Sequence, residues 1–498
     1  MARKRIRTLR ATDYTHLANP FAPQPLWPEE RVARLHEAAL EVLRDLGLRI
    51  LLPEAREILA AAGARVQEDM VFIGLEIVAE ALRTAPRSWR LMAANPARAR
   101  DYAPGQVLFG PGSGCPNVTD RRRGRRPGSL EAFHETLILQ QHFDVIHFLG
   151  SAAEPQDIPP HLRHYAMTRG QMVHSDKPMF VFSRGRGQVE DCFEMIRTGL
   201  DLSEDDWRAG SWCYTVINSN SPRMLDKPMA QGVIDFARAG QMAVITPFCL
   251  AGAMAPVTVA GALVLQHAEA LAGIVLSQMA KPGAPVSYGG FSSNVDLKSG
   301  APAFGTPEHL KMQLGSGQLA RHIGLPWRSA SGSASNTADM QGAQETDHAL
   351  WGAMLAQATM VLHAAGWLEG GLTFGYEKFV NDIETLQVLA EMCRPTGAEE
   401  PDLALEALAE VAPGGHFFAA AHTMERYEGA FYAPLLADLT NHGTWEAAGA
   451  QGSDQRATAV WQHILAEAQP PAGAAEAEER LAPLIARRTA EGGAPPLD

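Results

Sequence analysis

The chain has 498 residues, 46% hydrophobic and 20% charged, the composition of an ordinary globular protein able to bury a sizeable core. Forty-three lysines and arginines against 56 acidic residues leave a net charge of −13, which argues against a general nucleic-acid binder. Five scattered cysteines (Cys115, Cys192, Cys213, Cys249 and Cys393), odd in number and with no C-x-x-C, give neither a disulfide framework nor a zinc site and suit a reducing cytoplasm.

The amino-terminal "MARKRIRTLR" reads as the one basic run, a solvated tail; with no apolar stretch after it, it is not a secretory signal. Residues 1–106 read as a mostly helical extension, with "PEERVARLHEAALEVLRDLG" (28–47) its clearest helix. From 107 to 395 one unit recurs: a short β-rich run, a polar or glycine-rich break, then a helical stretch. The eight strand candidates are 107–112, 145–150, 179–183, 214–219, 243–249, 285–290, 326–331 and 359–366. Helical periods fall between them, at 129–141, 187–200, 228–240 and 306–324, the last with Thr306 as N-cap and Gly324 as stop. The apolar window 257–280 is long enough to span a bilayer. Gln266, His267, Glu269 and Gln278 interrupt it, so it reads as a helix buried against a sheet and no membrane partner is expected. Residues 396–498 read as a helical extension, with a helix at 456–468 and a disordered end. Eight strand–helix units predict a (β/α)8 TIM barrel rather than an open doubly wound sheet.

Chemistry in such a barrel sits where strands end. The stretch "SGSASNTADMQGAQE" (331–345) follows the seventh strand candidate, so it reads as an active-site loop. Its small residues, Ser331 and Gly332, admit a ligand to the backbone, and Asn336, Asp339, Gln341 and Glu345 aim polar groups at it. Gly289 and Gly290 do the same after strand six. Asn218 follows strand four. Aromatic residues recur on strands or just past them: Tyr288, Phe291, Trp367, Phe374 and Tyr376. Several in one mouth would cage a cation that has no hydrogen to donate. Arg184 is the favoured partner for a carboxylate at the substrate's other end, since Arg328, a few residues before a strand end, reads as pointing outward. His363, with Glu369 beyond it, is the candidate catalytic group. Glu377, Asp382 and Glu384 read as ion-pairing residues.

No lysine lies on a strand candidate, which weakens a Schiff-base aldolase. No H-x-H, D-x-D or H-E-x-x-H motif points to a metal. No G-x-S-x-G elbow or dinucleotide fingerprint is present.

Four stretches, "TADMQGAQE" (337–345), "HAAGWLEGGLTFGYEKFVNDIE" (363–384), "GGHFFAAAHT" (414–423) and "WEAAGAQGSDQRA" (445–457), resemble signature segments of the trimethylamine methyltransferase family. The resemblance spans about residues 30–485. It implies a barrel enzyme that moves a methyl group from an amine to the Co(I) of a small separate corrinoid protein, with no tightly bound cofactor of its own. Founding members carry pyrrolysine in the barrel; this chain has only standard amino acids and is similar to relatives that demethylate glycine betaine. A quaternary or tertiary amine substrate, a cytoplasmic location and a homo-oligomer are the corresponding expectations. Two other readings compete. One is a barrel lyase or isomerase acting on a carboxylated substrate, with His363 as base and Glu369 as acid. The other is a non-catalytic betaine-binding barrel.

Overall fold

The computed structural model describes residues 13–497; the amino-terminal basic run lies outside them. Seven strands build the central sheet: β1 (Gln106–Pro111), β2 (Met179–Phe180), β3 (Cys213–Ile217), β4 (Met242–Ile245), β5 (Val286–Gly289), β6 (Trp327–Ala330) and β7 (Met360–Ala365). All pair in parallel in the order β1-β7-β6-β5-β4-β3-β2, and Leu17–Ala18 adds an antiparallel edge beside β1. The helices are α1 (Leu130–His142), α2 (Pro160–His174), α3 (Arg186–Gly199), α4 (Lys227–Ala239), α5 (Val259–Ala280), α6 (Pro307–Ile323), α7 (Met340–Leu355) and α8 (Tyr376–Met392). Side-chain oxygens of Ser129, Asp226, Thr258, Thr306 and Asp339 cap α1, α4, α5, α6 and α7, and left-handed Gly240 and Gly324 close α4 and α6.

One expected strand is not a strand. The segment at 145–150 lies between β1 and β2, and only two backbone bonds tie it there: His147 N–H to Phe109 O and Leu149 N–H to Pro178 O, both 2.9 Å. The reason is local. The Phe109 N–H donates to the His147 ring Nδ1 at 2.9 Å instead of to a backbone carbonyl, so the ladder cannot propagate. The ring's other nitrogen faces Tyr14 O at 2.9 Å, and burial holds its pKa down near 3.

The sheet curls. Leu108 of β1, Phe180 of β2, Tyr214 of β3, Met242 and Val244 of β4 and Met360 and Leu362 of β7 share one apolar cluster on its concave face, with Phe148 from the intervening segment. Strands alternate their side chains, so the opposite residues (Phe109, Ile217, Ile245, Tyr288, Trp327 and Val361) pack outward into the layer shared with the helices. Tyr102, on a hairpin strand before β1, plugs the amino-terminal end and hydrogen-bonds Ser287 at 2.6 Å.

The amino-terminal part carries three helices, Glu29–Glu41, Pro53–Ala61 and Leu75–Thr84, and several short strands. These helices pack on α5. That explains why α5 is apolar around its whole circumference: it is covered by the sheet on one side and by helices on the other. Each of its polar interruptions makes at least one hydrogen bond. Gln266 donates to Ser316, His267 meets the Tyr288 hydroxyl, Gln278 donates to Ala284 O, and Glu269 accepts from Ser221 and the Arg223 N–H.

After α8, Ser453–Glu467 lies on α8, and Ala474–Ala490 lies on α2 and α3. The tail expected to be loose is pinned instead: Ala494 N–H bonds His161 O at 3.0 Å and Leu497 N–H bonds Arg184 O at 2.8 Å. Of the expected ion-pairing residues only Asp382 pairs, with buried Lys378. Glu377 accepts from Thr458 and Trp461, and Glu384 from Tyr432. The amino-terminal run is also not the only basic one. Arg121, Arg122, Arg123, Arg125 and Arg126 make another, and Asp454, Asp120, Glu135 and Glu369 take up four of the five.

Candidate active site

The carboxyl ends of the strands surround a cavity of about 610 Å³. Each strand sends a side chain into it. Ser113 follows β1, Phe182, Ser183 and Arg184 follow β2, Asn218 follows β3, Phe248 follows β4 and Phe291 follows β5. Arg328 lies on β6, Leu362 and His363 on β7, and Trp367 just past it.

The wall on the β5–β7 side is aromatic. The His363 and Trp367 rings stack at 4.4 Å with 18° between planes. Phe291 stands 5.2 Å from His363 and 5.5 Å from Trp367, and Phe248 and Phe304 extend the cluster at 4.9 and 5.3 Å from Phe291. Across the cavity Phe182 meets Phe180 edge-on. Ring faces present partial negative charge, so these walls attract a cation without needing it to donate a hydrogen bond.

His363 owes its place to strained backbone. Its φ is +56°, a left-handed value that is uncommon for a non-glycine residue in a strand. The pairing of β7 with β1 shifts register between Val361 and Ala365, a bulge that turns both Leu362 and His363 to the cavity. The Ser113 N–H donates to His363 Nδ1 at 3.2 Å, which puts the neutral ring's proton on Nε2. Burial, helped by the Arg328 charge, drives its pKa well below the ordinary histidine value.

Arg328 is the largest departure from the sequence reading. Trp327 and Ser329 face the helices, through bonds to Ala356 O and from Gln313, so strand parity turns Arg328 inward. It is 1% exposed. Its Nη1 donates to Thr246 Oγ1 at 3.0 Å and its guanidinium stands 5.1 Å over the Phe291 ring. Burial lowers its pKa to about 9, which leaves it charged at neutral pH. Arg184, the favoured cation, also lines the cavity, but its two terminal nitrogens grip Glu154 at 2.6 and 2.9 Å. Its guanidinium is therefore already engaged, sharing the Glu154 carboxylate with Arg163.

The remaining predicted residues divide sharply. His363, Trp367, Phe291, Asn218 and Arg184 do line the cavity. Tyr288 faces α5 and bonds His267. Phe374 packs on Phe379, and the Tyr376 hydroxyl donates to Glu135; neither reaches the cavity. Glu369 sits at the rim with its carboxylate held by Arg125 at 2.9 to 3.1 Å. Gly289 and Gly290 are packing positions: a Cβ would stand 2.6 Å from Ile245 O and 2.5 Å from the Gln266 amide respectively.

The 331–345 loop is neither a linker nor a row of groups aimed at ligand. Glu345 folds it, accepting from Ser333 Oγ, Ala334 N–H and Ser335 N–H at 2.7, 2.8 and 3.2 Å. Gln341 braces Glu345, Ser331 donates to Thr346 O, Asp339 caps α7 and Asn336 is exposed. The folded loop then carries Trp367. Gly332 has φ +119°, and a Cβ there would lie 2.1 Å from the indole.

A parallel α/β sheet whose carboxyl ends enclose an aromatic cavity with a buried cation has the layout of an enzyme for small-molecule chemistry. Comparison with known proteins narrows the class: residues 1–493 match the family described as trimethylamine methyltransferase (MTTB), and the chain belongs to that family. It is 34% identical to glycine betaine methyltransferase of Desulfitobacterium hafniense (strain Y51), over 93% of this chain and 97% of that protein. It is 27% identical to trimethylamine methyltransferase MttB of Desulfitobacterium hafniense (strain DSM 10664 / DCB-2), over 86% and 87%. Among solved structures, the Methanosarcina barkeri monomethylamine methyltransferase (MtmB) superposes with a TM-score of 0.52 at 8% identity, covering 93% of this chain and 88% of that one. That likeness shows a shared fold.

Proposed function

We propose that this protein takes a methyl group from a quaternary amine and passes it to the Co(I) of a corrinoid protein that docks at the cavity mouth. The segment at 145–150 is then the eighth stave of a closed (β/α)8 barrel. The observation that carries the reading is the aromatic wall of Phe291, Trp367 and Phe248, which suits a permanent cation.

The electron balance explains why ordinary side chains suffice. Co(I) brings the electron pair that forms the new bond to carbon. The C–N pair stays on nitrogen, so a quaternary ammonium leaves as a neutral tertiary amine and no proton moves. A tertiary amine would leave as an amide anion unless first activated. The chain therefore needs to orient one N–CH3 bond outward and exclude water. Trp367 and Phe291 hold the cation, and His363, fixed by Ser113 and stacked on Trp367, keeps the indole in place.

The lyase reading loses its acid, because Arg125 engages the Glu369 carboxylate at the rim, and the lowered pKa of buried His363 makes it a weak base. The experiment is incubation of the enzyme with Co(I) cobalamin and a panel of trimethylammonium compounds. The expected result is methyl-Co(III) absorbance that needs both enzyme and amine. Tight amine binding without any methyl transfer would leave a binding protein and overturn the proposal.

A further inference from the structure

The cavity holds a charge that no carboxylate among the described residues answers. Arg328 is buried, no carboxylate lies within ion-pair distance of it among the described residues, and its Nε has no hydrogen-bond partner in the protein. Its one protein acceptor is the Thr246 hydroxyl. Arg100 is about as buried and its Nε is likewise unpartnered, but its Nη1 donates to the carbonyls of Ala97 and Ala99 and so closes a turn. Arg328 closes nothing. A buried guanidinium left this way is strongly destabilising unless an anion reaches it.

Two side chains of the cavity lining carry a further unpartnered donor: the Trp367 indole N–H, beside Gly371, and the Ser113 hydroxyl, against Gly150. A buried guanidinium that no carboxylate meets calls for a ligand that brings acceptor oxygens. Phe291 meanwhile adjoins both ends of the site, with the Arg328 guanidinium 5.1 Å from its ring centroid and the Trp367 ring at 5.5 Å.

We propose that Arg328 is the specificity-determining residue of this site, receiving a carboxylate joined by a short tether to the trimethylammonium group. The substrate is thus a compact zwitterion. This rests on the methyl-transfer reading above and deepens it. Thr246 positions the guanidinium, and Phe291 spaces the two charges. The energetic logic is asymmetric: a site built around a buried charge rejects an analogue that leaves the charge unpaired far more strongly than an apolar pocket rejects extra bulk.

Calorimetric titration of the full chain with glycine betaine and with choline, which keeps the cation and replaces the carboxylate by a hydroxymethyl group, tests this without any corrinoid. Wild type is expected to bind glycine betaine at least about tenfold tighter than choline. Arg328→Gln and Arg328→Met should erase that preference by weakening betaine and sparing choline, and Arg328→Lys should restore part of it. Equal wild-type affinities overturn the proposal even if no variant folds, as does undiminished betaine binding by a folded Arg328→Met. Either result leaves the methyl-transfer reading standing. Failure of wild type to bind any trimethylammonium compound would sink both.

Discussion

The Trp367 indole lies flat on the His363 imidazole, 4.4 Å away and 18° from parallel. Each ring is fixed by a different loop. Ser113, after β1, orients the imidazole. The 331–345 loop supports the indole at Gly332. Three strand ends thus converge on one stacked pair, which makes the pair a sensitive reporter of the whole mouth.

If the indole face holds the substrate cation, Trp367→Leu should weaken binding of trimethylammonium compounds by about 1–2 kcal/mol, roughly tenfold in Kd. Trp367→Phe should lose less, because it keeps a ring face. Calorimetric titration with tetramethylammonium, which has no anionic end, isolates this contribution. Unchanged affinity in Trp367→Leu would move the cation elsewhere.

Gly332→Ala should act on the same ring at one remove. The new methyl group would lie 2.1 Å from the Trp367 ring carbon Cε3 on a backbone with φ +119°, so either the indole or the loop must shift. A destabilisation of about 1–3 kcal/mol is expected, with altered tryptophan fluorescence and reduced kcat/KM. Glu345→Ala, which removes the acceptor for Ser333, Ala334 and Ser335, should give a similar loss through the loop alone.

Much of this architecture is legible in the sequence, and the exceptions share a cause. The helices at 129–141, 228–240 and 306–324 are recoverable because caps and apolar period agree, and the structure places them at Leu130–His142, Lys227–Ala239 and Pro307–Ile323. The segment at 145–150 has strand composition, but a histidine side chain took the ladder donor, and no propensity reports that. Arg328 was misplaced although its signal was present: in "WRSA" a strand alternates, so a helix-facing Trp327 implies an inward arginine. Tyr288 fails by the same parity in reverse. The polar residues of the 331–345 loop were legible as important, yet not as scaffold, because Glu345 acts through backbone amides that a sequence does not display.

Acid should destabilise the fold before it protonates ordinary carboxylates. Burial holds His147 near pH 3 and His309 near pH 4, and lowers His36 and His174 to about 4 as well. The unfolded chain takes up protons at these rings near pH 6.5 while the folded chain does not. Stability is therefore full above pH 6.5 and falls as pH drops from there toward 4, by up to about 1.4 kcal/mol per pH unit for each fully buried ring. Glu269, Asp235 and Asp382, whose pKa burial raises, act in the opposite sense as pH falls through their raised pKa toward the ordinary carboxylate range. The check is Tm between pH 7.5 and 5. A flat Tm over that range would contradict the neutral burial of these histidines.

The most direct measurement follows the methyl group itself. Glycine betaine labelled with 13C in its N-methyl groups is mixed with the enzyme and Co(I) cobalamin, and 13C NMR records where the label goes. The account predicts one labelled methyl on cobalt for each dimethylated amine formed, only with enzyme present and abolished by Trp367→Leu together with Arg328→Gln. Label that stays on nitrogen while the amine binds tightly would contradict it.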